Sequence, residues 1–278
     1  MVKERDFAFT DSDFVTIRHL VKDHTGISLS DAKKDMVYSR LSRRLRQLEL
    51  DDFKSYSQLI IDGQGDELTH FTNAITTNLT SFFREEHHFN YLANTVLPDI
   101  IKNNGASRRL RIWSAGCSTG EEPYSIAIIL KEILPRNQTW DAKILATDLD
   151  SNVVATAKSG VYSEERIKHI SENRKKKWFR QGNQGSAGLV SVSIELKELI
   201  TFKQLNLLHN WPMKGPFDVI FCRNVVIYFN KDTQKVLFDR YADLMETGNH
   251  LFIGHSESLF KVSDRFELLG QTIYRKIK

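Results

Sequence analysis

The sequence predicts an α/β protein in which a mainly parallel sheet, covered by crossover helices, follows a small all-α domain. Residues 10–90 show helical spacing of apolar residues and contain no alternating stretch of strand type. After about residue 105, short apolar strands alternate with helical stretches, which is the pattern of a parallel sheet. Residues 266–274 contain two apolar runs around a Gly-Gln turn, which indicates an antiparallel edge hairpin.

The first helix is predicted to begin at Thr10–Asp13, because Thr, Ser and Asp are preferred N-cap residues. Phe14, Ile17 and Leu20 follow at the spacing of a single apolar helix face. Gly26 is expected to end this helix, since glycine is the usual residue just beyond a helix C-terminus.

A second helix is predicted over residues 31–48, with three leucines along one side. Arg40, Arg43 and Arg44 project from a different face of this helix. These arginines have two interpretations, a docking surface for an acidic partner and a solvated basic helix face.

The α/β part of the chain contains five short apolar segments that are predicted to be strands. The predicted parallel strands are Leu110 to Ser114, Lys143 to Thr147, Ile200 to Lys203, Phe217 to Cys222 and His250 to Gly254. The predicted helices between them are Pro123 to Leu134, Asn152 to Ser159 and Asp232 to Met245. The C-terminal hairpin brings the expected number of strands to about seven.

Residues 178–200 do not fit the alternation of strands and helices. A glycine-rich turn with Gly182, Gly185 and Gly188 precedes a period-2 pattern over Leu189–Ile194, which predicts a small antiparallel insertion. The basic run of residues 174–177 beside it is either a solvated helix end, which we favour, or a contact for an acidic partner.

The composition excludes several classes of protein. Apolar residues make up 41% of the chain and charged residues 27%, as in ordinary globular proteins, and the net charge of +4 does not suggest a nucleic-acid binder. Apolar stretches are far shorter than the roughly 20 residues of a membrane helix, and the charged N-terminus is unlike a signal peptide, so a cytoplasmic protein is expected. Cys117 and Cys222 have no metal-ligand spacing, so we expect no metal site.

The first predicted strand leads into Ala115–Pro123, a glycine-bearing loop that opens onto a helix. This is a nucleotide-binding arrangement, but it lacks the lysine and the glycine spacing of the phosphate-binding motifs. Glu121 and Glu122 at the helix start would repel a pyrophosphate and suit a cationic or hydroxyl-bearing ligand. Asp148 follows the second strand, where such sites place a ribose-binding carboxylate; the alternative is a helix-capping aspartate.

Four strings occur in order along the chain: TTNLTSFFRE at residues 76–85, WSAGCSTGEEPYS at 113–125, FDVIFCRNVVIYF at 217–229 and GHSES at 254–258. In these strings the chain resembles the CheR family of chemotaxis-receptor glutamate methyltransferases. The resemblance implies a Rossmann-like methyltransferase sheet with a small antiparallel β-subdomain, preceded by an all-α domain. We therefore expect a helical domain over residues 1–75, an interdomain segment over 76–90 and a methyltransferase domain over 91–278, with the insertion at about 178–200.

The resemblance implies that S-adenosylmethionine is the methyl donor, with S-adenosylhomocysteine as its product and without a metal. The positions that match cofactor contacts are Asn78, Thr80, Arg84, Gly116, Glu122, Asp148, Asn206, Leu207, Arg223 and Asn224. Gly116-Cys117 departs slightly from the family, in which small residues such as alanine are common there, and leaves the cofactor assignment unchanged. Tyr228 matches a tyrosine near the reacting methyl, so Arg84 and Tyr228 are the candidate catalytic residues that orient the reacting groups.

Without the resemblance, each of these residues has a structural interpretation. Asn78 and Thr80 are then helix caps, Arg84 pairs with a neighbouring glutamate, and Tyr228 is a core residue. We assign no histidine a catalytic role, since His87, His88 and His255 have no companion set at ligand spacing.

The implied substrates are glutamates in the cytoplasmic domain of methyl-accepting chemotaxis receptors, and the implied product is a methyl ester used in sensory adaptation. Arg40, Arg43 and Arg44 are the candidate docking residues for the receptor helices. Some family members bind a peptide at the receptor C-terminus through the β-subdomain, so the insertion is either such a tether or a structural element. We expect a monomer that is recruited to membrane receptor arrays without inserting into the membrane. The competing interpretations are a methyltransferase for nucleic acid or a small molecule and a non-catalytic scaffold.

Overall fold

The computed structural model describes residues 5–63, 65–182 and 187–278. One of the glycines predicted to form the turn of the insertion, Gly185, lies outside these residues. In the described part of the chain, every helix is too short or too polar to traverse a lipid bilayer.

The N-terminal part is all-α, as predicted. It consists of α1 (Asp11–Thr25), a 3₁₀ turn (Asp31–Lys33), α2 (Lys34–Gln47), α3 (Phe53–Ile61) and α4 (Glu67–Ile75). Thr10 caps α1 in a capping box with Asp13, and Gly26 ends the helix with a φ of 73°. The apolar faces of these helices meet in one core, which includes the fully buried Ile17 and Leu41.

A helical stretch connects this part to the sheet. It begins with α5 (Glu86–Tyr91), continues through a π turn (Leu92–Val96) and ends with α6 (Leu97–Asn103). Because α5 starts at Glu86, residues 76–85 are the non-helical part of the predicted interdomain segment.

The described residues form a seven-stranded sheet and a separate three-stranded sheet, as predicted. In chain order the strands are β1 (Arg109–Ala115), β2 (Asp141–Asp148), β3 (Val161–Ser163), β4 (Phe179–Gln181), β5 (Leu189–Val192), β6 (Ile200–Gln204), β7 (Phe217–Cys222), β8 (Met245–Ile253), β9 (Phe266–Gly270) and β10 (Ile273–Lys276). The large sheet has the order β6-β2-β1-β7-β8-β10-β9, and all pairs from β6 to β8 are parallel. β9 and β10 form the expected antiparallel hairpin, and β10 pairs with β8.

The remaining helices are α7 (Glu121–Ile133), α8 (Ser151–Ser159), α9 (Glu172–Trp178), α10 (Ile194–Lys197) and α11 (Lys231–Asp243). On one face of the sheet, α7 packs over a cluster that includes Ile112, Val219 and Phe252. On the other face, α11 packs over Trp113 and Ile220. Both faces are thus buried, as in sheets built from parallel crossovers.

Three predicted boundaries are wrong. Met245, predicted as the end of a helix, begins β8, whose first half is polar and exposed and therefore gives no apolar signal. The small sheet also contains β3, which lies outside residues 178–200 and pairs with β5. The sequence did not predict this strand because its three residues are too few to show a period. β5 ends at Val192, and Ile194 begins α10 instead of continuing the strand.

Candidate functional site

A deep pocket opens where the carboxyl ends of β1, β2 and β7 face the helical N-terminal residues. Crevices at this edge of a parallel sheet are the usual ligand sites of α/β proteins. All predicted cofactor-contacting and catalytic residues line this pocket: Asn78, Thr80, Arg84, Gly116, Glu122, Asp148, Asn206, Leu207, Arg223, Asn224 and Tyr228. The N-terminal part contributes Thr25, Ile27 and Met36 among others.

The glycine-bearing loop after β1 turns sharply over the end of β2. Gly116 has a φ of 122°, and a Cβ placed there would lie 2.3 Å from Val225 Cγ2, so both the backbone conformation and the space require glycine. The amides of Gly116 and Cys117 both donate to the carbonyl of Thr147 at 2.8 Å. Gly116 therefore shapes the floor of the pocket through its backbone.

Asp148 lies at the end of β2 with part of its side chain open to the pocket. Its Oδ2 accepts from the Ser118 amide at 2.8 Å and its Oδ1 from the Asp150 amide at 3.1 Å. Burial raises the pKa of Asp148 from 3.8 to about 6. Asp150, and not Asp148, caps α8, so the alternative interpretation of Asp148 as a helix cap is wrong. Each carboxylate oxygen keeps acceptor capacity for a ligand hydroxyl.

The segment 76–84 crosses the pocket and is tied to the sheet. Asn78 Nδ2 donates to Asp150 Oδ2 at 2.8 Å, and the Asn78 carbonyl accepts from Ser118 Oγ at 2.9 Å. The Thr80 carbonyl accepts from Arg166 at 3.3 Å. Asn78 and Thr80 are thus part of an interdomain hydrogen-bond network and do not cap helices.

Arg84 and Arg223 meet at the inner end of the pocket. Arg223 pairs with Glu122 at 3.0 Å and with Glu85 at 3.3 Å, and it donates to the Arg84 carbonyl. Arg84 donates to the Leu79 carbonyl at 2.9 Å. The alternative in which Arg84 pairs with Glu85 or Glu86 is wrong, because among the described residues Arg84 forms an ion pair with neither, and Glu85 pairs with Arg223.

Glu122 is buried, and its Oε1 accepts from Ser114 at 2.7 Å. Burial raises the pKa of Glu122, while the adjacent Arg223 opposes this rise. Two predicted cofactor residues, Glu122 and Arg223, are therefore partners of each other as well as part of the pocket wall.

Tyr228 stands on the loop after β7, half-buried, and lines the pocket instead of lying in the core. The loop is held by Glu257, a buried carboxylate that accepts from the amides of Asn224 (3.0 Å), Val226 (2.9 Å), Ile227 (3.2 Å) and Gly254 (2.5 Å). The Tyr228 carbonyl also accepts from the Ser28 amide at 2.8 Å, which joins this loop to the N-terminal part.

The sequence predicts that Arg40, Arg43 and Arg44 share one exposed basic face of α2, but in the structure two of the three make contacts within the N-terminal part. Arg40 donates to the carbonyls of Ile75 (2.7 Å) and Thr76 (2.6 Å), and Arg44 forms a partly buried ion pair with Glu67 at 2.5 Å. Arg43 is exposed. Arg40 and Arg44 lie next to the buried leucines of α2, and their side chains reach α4. The helical projection of α2 alone did not indicate these contacts.

Sequence reasoning missed two residues that organise the site. Glu257 lies within GHSES, and the signal was an acidic residue in a loop at the end of a buried strand. Arg166 joins Thr119 (3.2 Å), Thr80 and the buried Glu121 (3.0 Å), and its sequence surroundings give no such signal.

Potential metal-ligand atoms of Glu85, His87 and His88 lie within 4.8 Å of one another, although the Arg223 guanidinium beside Glu85 would repel a cation. Burial lowers the pKa of His88 to about 4, which keeps it neutral.

The fold and the pocket define an α/β enzyme domain with a site for a nucleoside-type ligand, closed on one side by a helical domain. Family models agree: the CheR methyltransferase all-alpha domain matches residues 12–76, and the CheR methyltransferase SAM binding domain matches residues 78–275. The chain belongs to the CheR methyltransferase family and is an S-adenosylmethionine-dependent methyltransferase.

Relatives in other bacteria span nearly the same length. The chemotaxis protein methyltransferase 2 of Pseudomonas aeruginosa is 44% identical over 273 residues, which cover 97% of this chain and 95% of that protein. The chemotaxis protein methyltransferase of Escherichia coli is 43% identical over 270 residues, covering 96% and 91%. Among solved structures, the magnesium protoporphyrin IX methyltransferase of Synechocystis with bound SAM has a TM-score of 0.37 and 13% identity, covering 69% of this chain and 76% of that one.

Proposed function

We propose that the protein transfers the methyl group of S-adenosylmethionine to glutamate side-chain carboxylates of chemotaxis receptors and forms glutamate methyl esters. The observation that carries this proposal is the convergence of the predicted cofactor-contacting residues and Tyr228, which lie far apart in the sequence, on one pocket between the domains. Family membership and the names of the relatives support the same activity.

The pocket residues suit the methyl donor, which supplies an electrophilic methyl group on a sulfonium when it is bound. Asp148 offers two partly used carboxylate oxygens for ribose hydroxyls. Asn206, Leu207 and the apolar Ile27 line the pocket and would form the wall for the adenine that the resemblance implies. Arg84, Glu122, Arg223 and Asn224 line the inner end, where the amino-acid part would be held.

A glutamate side chain has an unperturbed pKa of about 4.3, so the acceptor is already an anionic nucleophile at neutral pH. The site therefore needs no general base, and His88 is not among the residues that line the pocket. Arg84 and Tyr228 would hold the acceptor carboxylate in line with the methyl group. Such positioning can supply roughly 7 to 11 kcal/mol.

Tyr228 is well placed for this role because its backbone is fixed on both sides. Glu257 holds the amides of the preceding residues, and Ser28 binds the Tyr228 carbonyl. Arg84 lines the same pocket as Tyr228, and its positive charge suits an incoming carboxylate.

For receptor docking we propose Arg43, which is exposed, as the basic contact on α2, with Arg40 and Arg44 supporting the helix through their contacts with α4 and the residues after it. Arg43→Glu should raise the KM for receptor at low salt and leave the Kd for S-adenosylhomocysteine unchanged. Arg136→Glu, at an exposed arginine beyond α7, is the matched control. An unchanged KM in the Arg43 variant would remove this docking contact.

We further propose that the protein works as a cytoplasmic monomer that is recruited to receptor arrays. The β-subdomain is the candidate tether for a receptor C-terminal peptide, because β4 is an edge strand that pairs only with β5 among the residues that the structure describes.

The central test is transfer of a radiolabelled methyl group from S-adenosylmethionine to receptor-bearing membranes. The expected product is labelled receptor that releases volatile label in alkali, as a methyl ester does, and Asp148→Ala should lose most of this activity. Receptor without label, or label that resists alkali, would contradict the proposal. Parallel reactions with nucleic acid and with a small-molecule fraction would identify the competing substrate classes.

A further inference from the structure

The loop of residues 205–211, here called the adenine-side loop, carries Asn206 and Leu207 and is held from two directions. Toward the N-terminal part, Asn206 Nδ2 donates to the His24 carbonyl at 2.8 Å. Leu208 packs onto Gly26, where an added Cβ would lie only 2.6 Å from Leu208 Cδ1. The loop is therefore seated tightly against the end of α1.

Toward α11, the adenine-side loop is held by one side chain. Arg240 donates to the Leu207 carbonyl at 2.7 Å and to the His209 carbonyl at 2.6 Å. Its guanidinium also lies over the Trp211 ring, 3.8 Å from the ring centroid. One planar fork thus fixes three residues of the same loop, which a flexible ammonium could not do in the same way.

Trp211 transmits this attachment to the core of the sheet. Its ring stacks on Tyr241 at 5.3 Å between centroids and meets Trp113 edge-on at 4.8 Å. Trp113 and Tyr241 are both fully buried. Arg240 and Trp211 therefore connect the loop to the rigid interior of the domain.

The positively charged guanidinium of Arg240 binds backbone carbonyls and an aromatic ring. Burial lowers the pKa of its guanidinium, and in residues 5–63, 65–182 and 187–278 no carboxylate lies within 4 Å to form an ion pair with it. Its donors are instead directed at the two loop carbonyls. The cost of partly burying this cation is offset by hydrogen bonds to two carbonyls and by the Trp211 ring, all of which belong to the adenine-side loop.

We infer that Arg240 is a positioning residue that holds the adenine-side loop in the shape required by the methyl donor. This inference rests on the proposed function, because it assigns the adenine to the wall that contains Asn206 and Leu207. Without Arg240 the loop would have to be ordered when the ligand binds, and that cost would appear as weaker affinity.

The test compares Arg240→Gln and Arg240→Lys with Arg265→Gln by calorimetry with S-adenosylhomocysteine at a temperature at which all are folded. Arg265 is the matched control, since it donates to the Asp239 carbonyl (3.0 Å) and to Asp243 (2.7 Å) on the same helix without touching the loop. We expect an increase in Kd of about tenfold for Arg240→Gln, a smaller one for Arg240→Lys and no change for Arg265→Gln. The KM for the methyl donor should rise with Kd, while kcat at saturation should stay within about twofold of wild type.

Fluorescence gives a second readout, because Trp211 loses its cation partner in Arg240→Gln; a Trp211→Phe protein identifies its contribution. A lower melting temperature with an unchanged Kd would show that Arg240 is only structural and would overturn the inference. A fall in kcat with an unchanged KM would also overturn it. If wild-type protein does not bind S-adenosylhomocysteine, the proposed function itself fails, and the two failures are thereby distinguished.

Discussion

Replacing Asp148 with asparagine should change the pH dependence of folding stability in a direction that the structure fixes. In the native state the pKa of Asp148 is raised to about 6 by burial, against 3.8 in the unfolded chain. Between these two pH values the native state binds more protons than the unfolded state. The free energy of unfolding of the wild type therefore falls as the pH rises through this window, and Asp148→Asn removes that fall.

The magnitude follows from the two pKa values. From pH 5 to pH 8, an aspartate with a native pKa of about 6 loses roughly 1.4 kcal/mol of its contribution to the free energy of unfolding. This figure is an upper limit, because one side of Asp148 remains open to the water in the pocket. Asparagine also places an NH₂ group against one of the amides of Ser118 and Asp150, at a cost that does not depend on pH. The difference between the two pH values is free of that cost.

The assay is equilibrium urea unfolding of wild type and Asp148→Asn at pH 5, 6, 7 and 8 without ligand. The free energy of unfolding of Asp148→Asn, relative to that of the wild type, should rise by up to about 1.4 kcal/mol from pH 5 to pH 8. Asp141→Asn, at the other end of β2, is the control: Arg111 lowers the pKa of Asp141, so it stays ionised throughout and its effect should be flat. A difference between wild type and Asp148→Asn that does not vary with pH would refute the reasoning.

Further predictions concern Tyr228, Glu257 and Arg44. Tyr228→Phe should lower kcat on the order of 100-fold in single-turnover methyl transfer and change the Kd for S-adenosylhomocysteine little; an equal loss in both would assign Tyr228 to donor binding. Glu257→Gln should lower the free energy of unfolding by about 2 to 5 kcal/mol, since an amide cannot accept from four backbone N–H groups, whereas the exposed Glu246→Gln should have little effect in urea unfolding. Arg44→Met should cost about 3 to 5 kcal/mol because it leaves the Glu67 carboxylate buried without its cation, and a stability loss no larger than that of Arg43→Met would contradict the pairing.

The order of elements could be predicted from the sequence because their signals are local. The N-cap at Thr10, the glycine at residue 26 and the five apolar strands each depend on residues within one turn or one strand. The site residues were predicted through resemblance, which carries three-dimensional information that spacing alone does not. Asp148 shows the contrast: its sequence position allowed both a helix cap and a ligand contact, and only the contacts of Asp150 decide between them.

Contacts between distant residues could not be predicted. The basic character of α2 suggested a free surface, yet Arg40 reaches carbonyls 35 residues away and Arg44 reaches a glutamate on α4. Whether an exposed-looking arginine is free depends on the packing of the next helix, which the periodicity of α2 does not contain. Arg240 and Glu257 could not be predicted for the same reason: Arg240 binds backbone carbonyls and Glu257 binds backbone amides of other segments, and backbone groups are the same whatever the sequence.

The site belongs to neither domain alone. The two family models meet at Thr77, between residues 76 and 78, in the middle of the stretch that crosses the pocket. Four contacts that cross this boundary lie beside the ligand site: Ser28 to Tyr228, Asn206 to His24, Thr76 to Asp150 and Asn73 to Ser151. Most of them end on backbone groups or on a capping carboxylate, which are fixed by the secondary structure of each domain. The angle between the domains is therefore set by the elements that also set the positions of the pocket residues, so a change in domain packing would alter donor binding and acceptor alignment together.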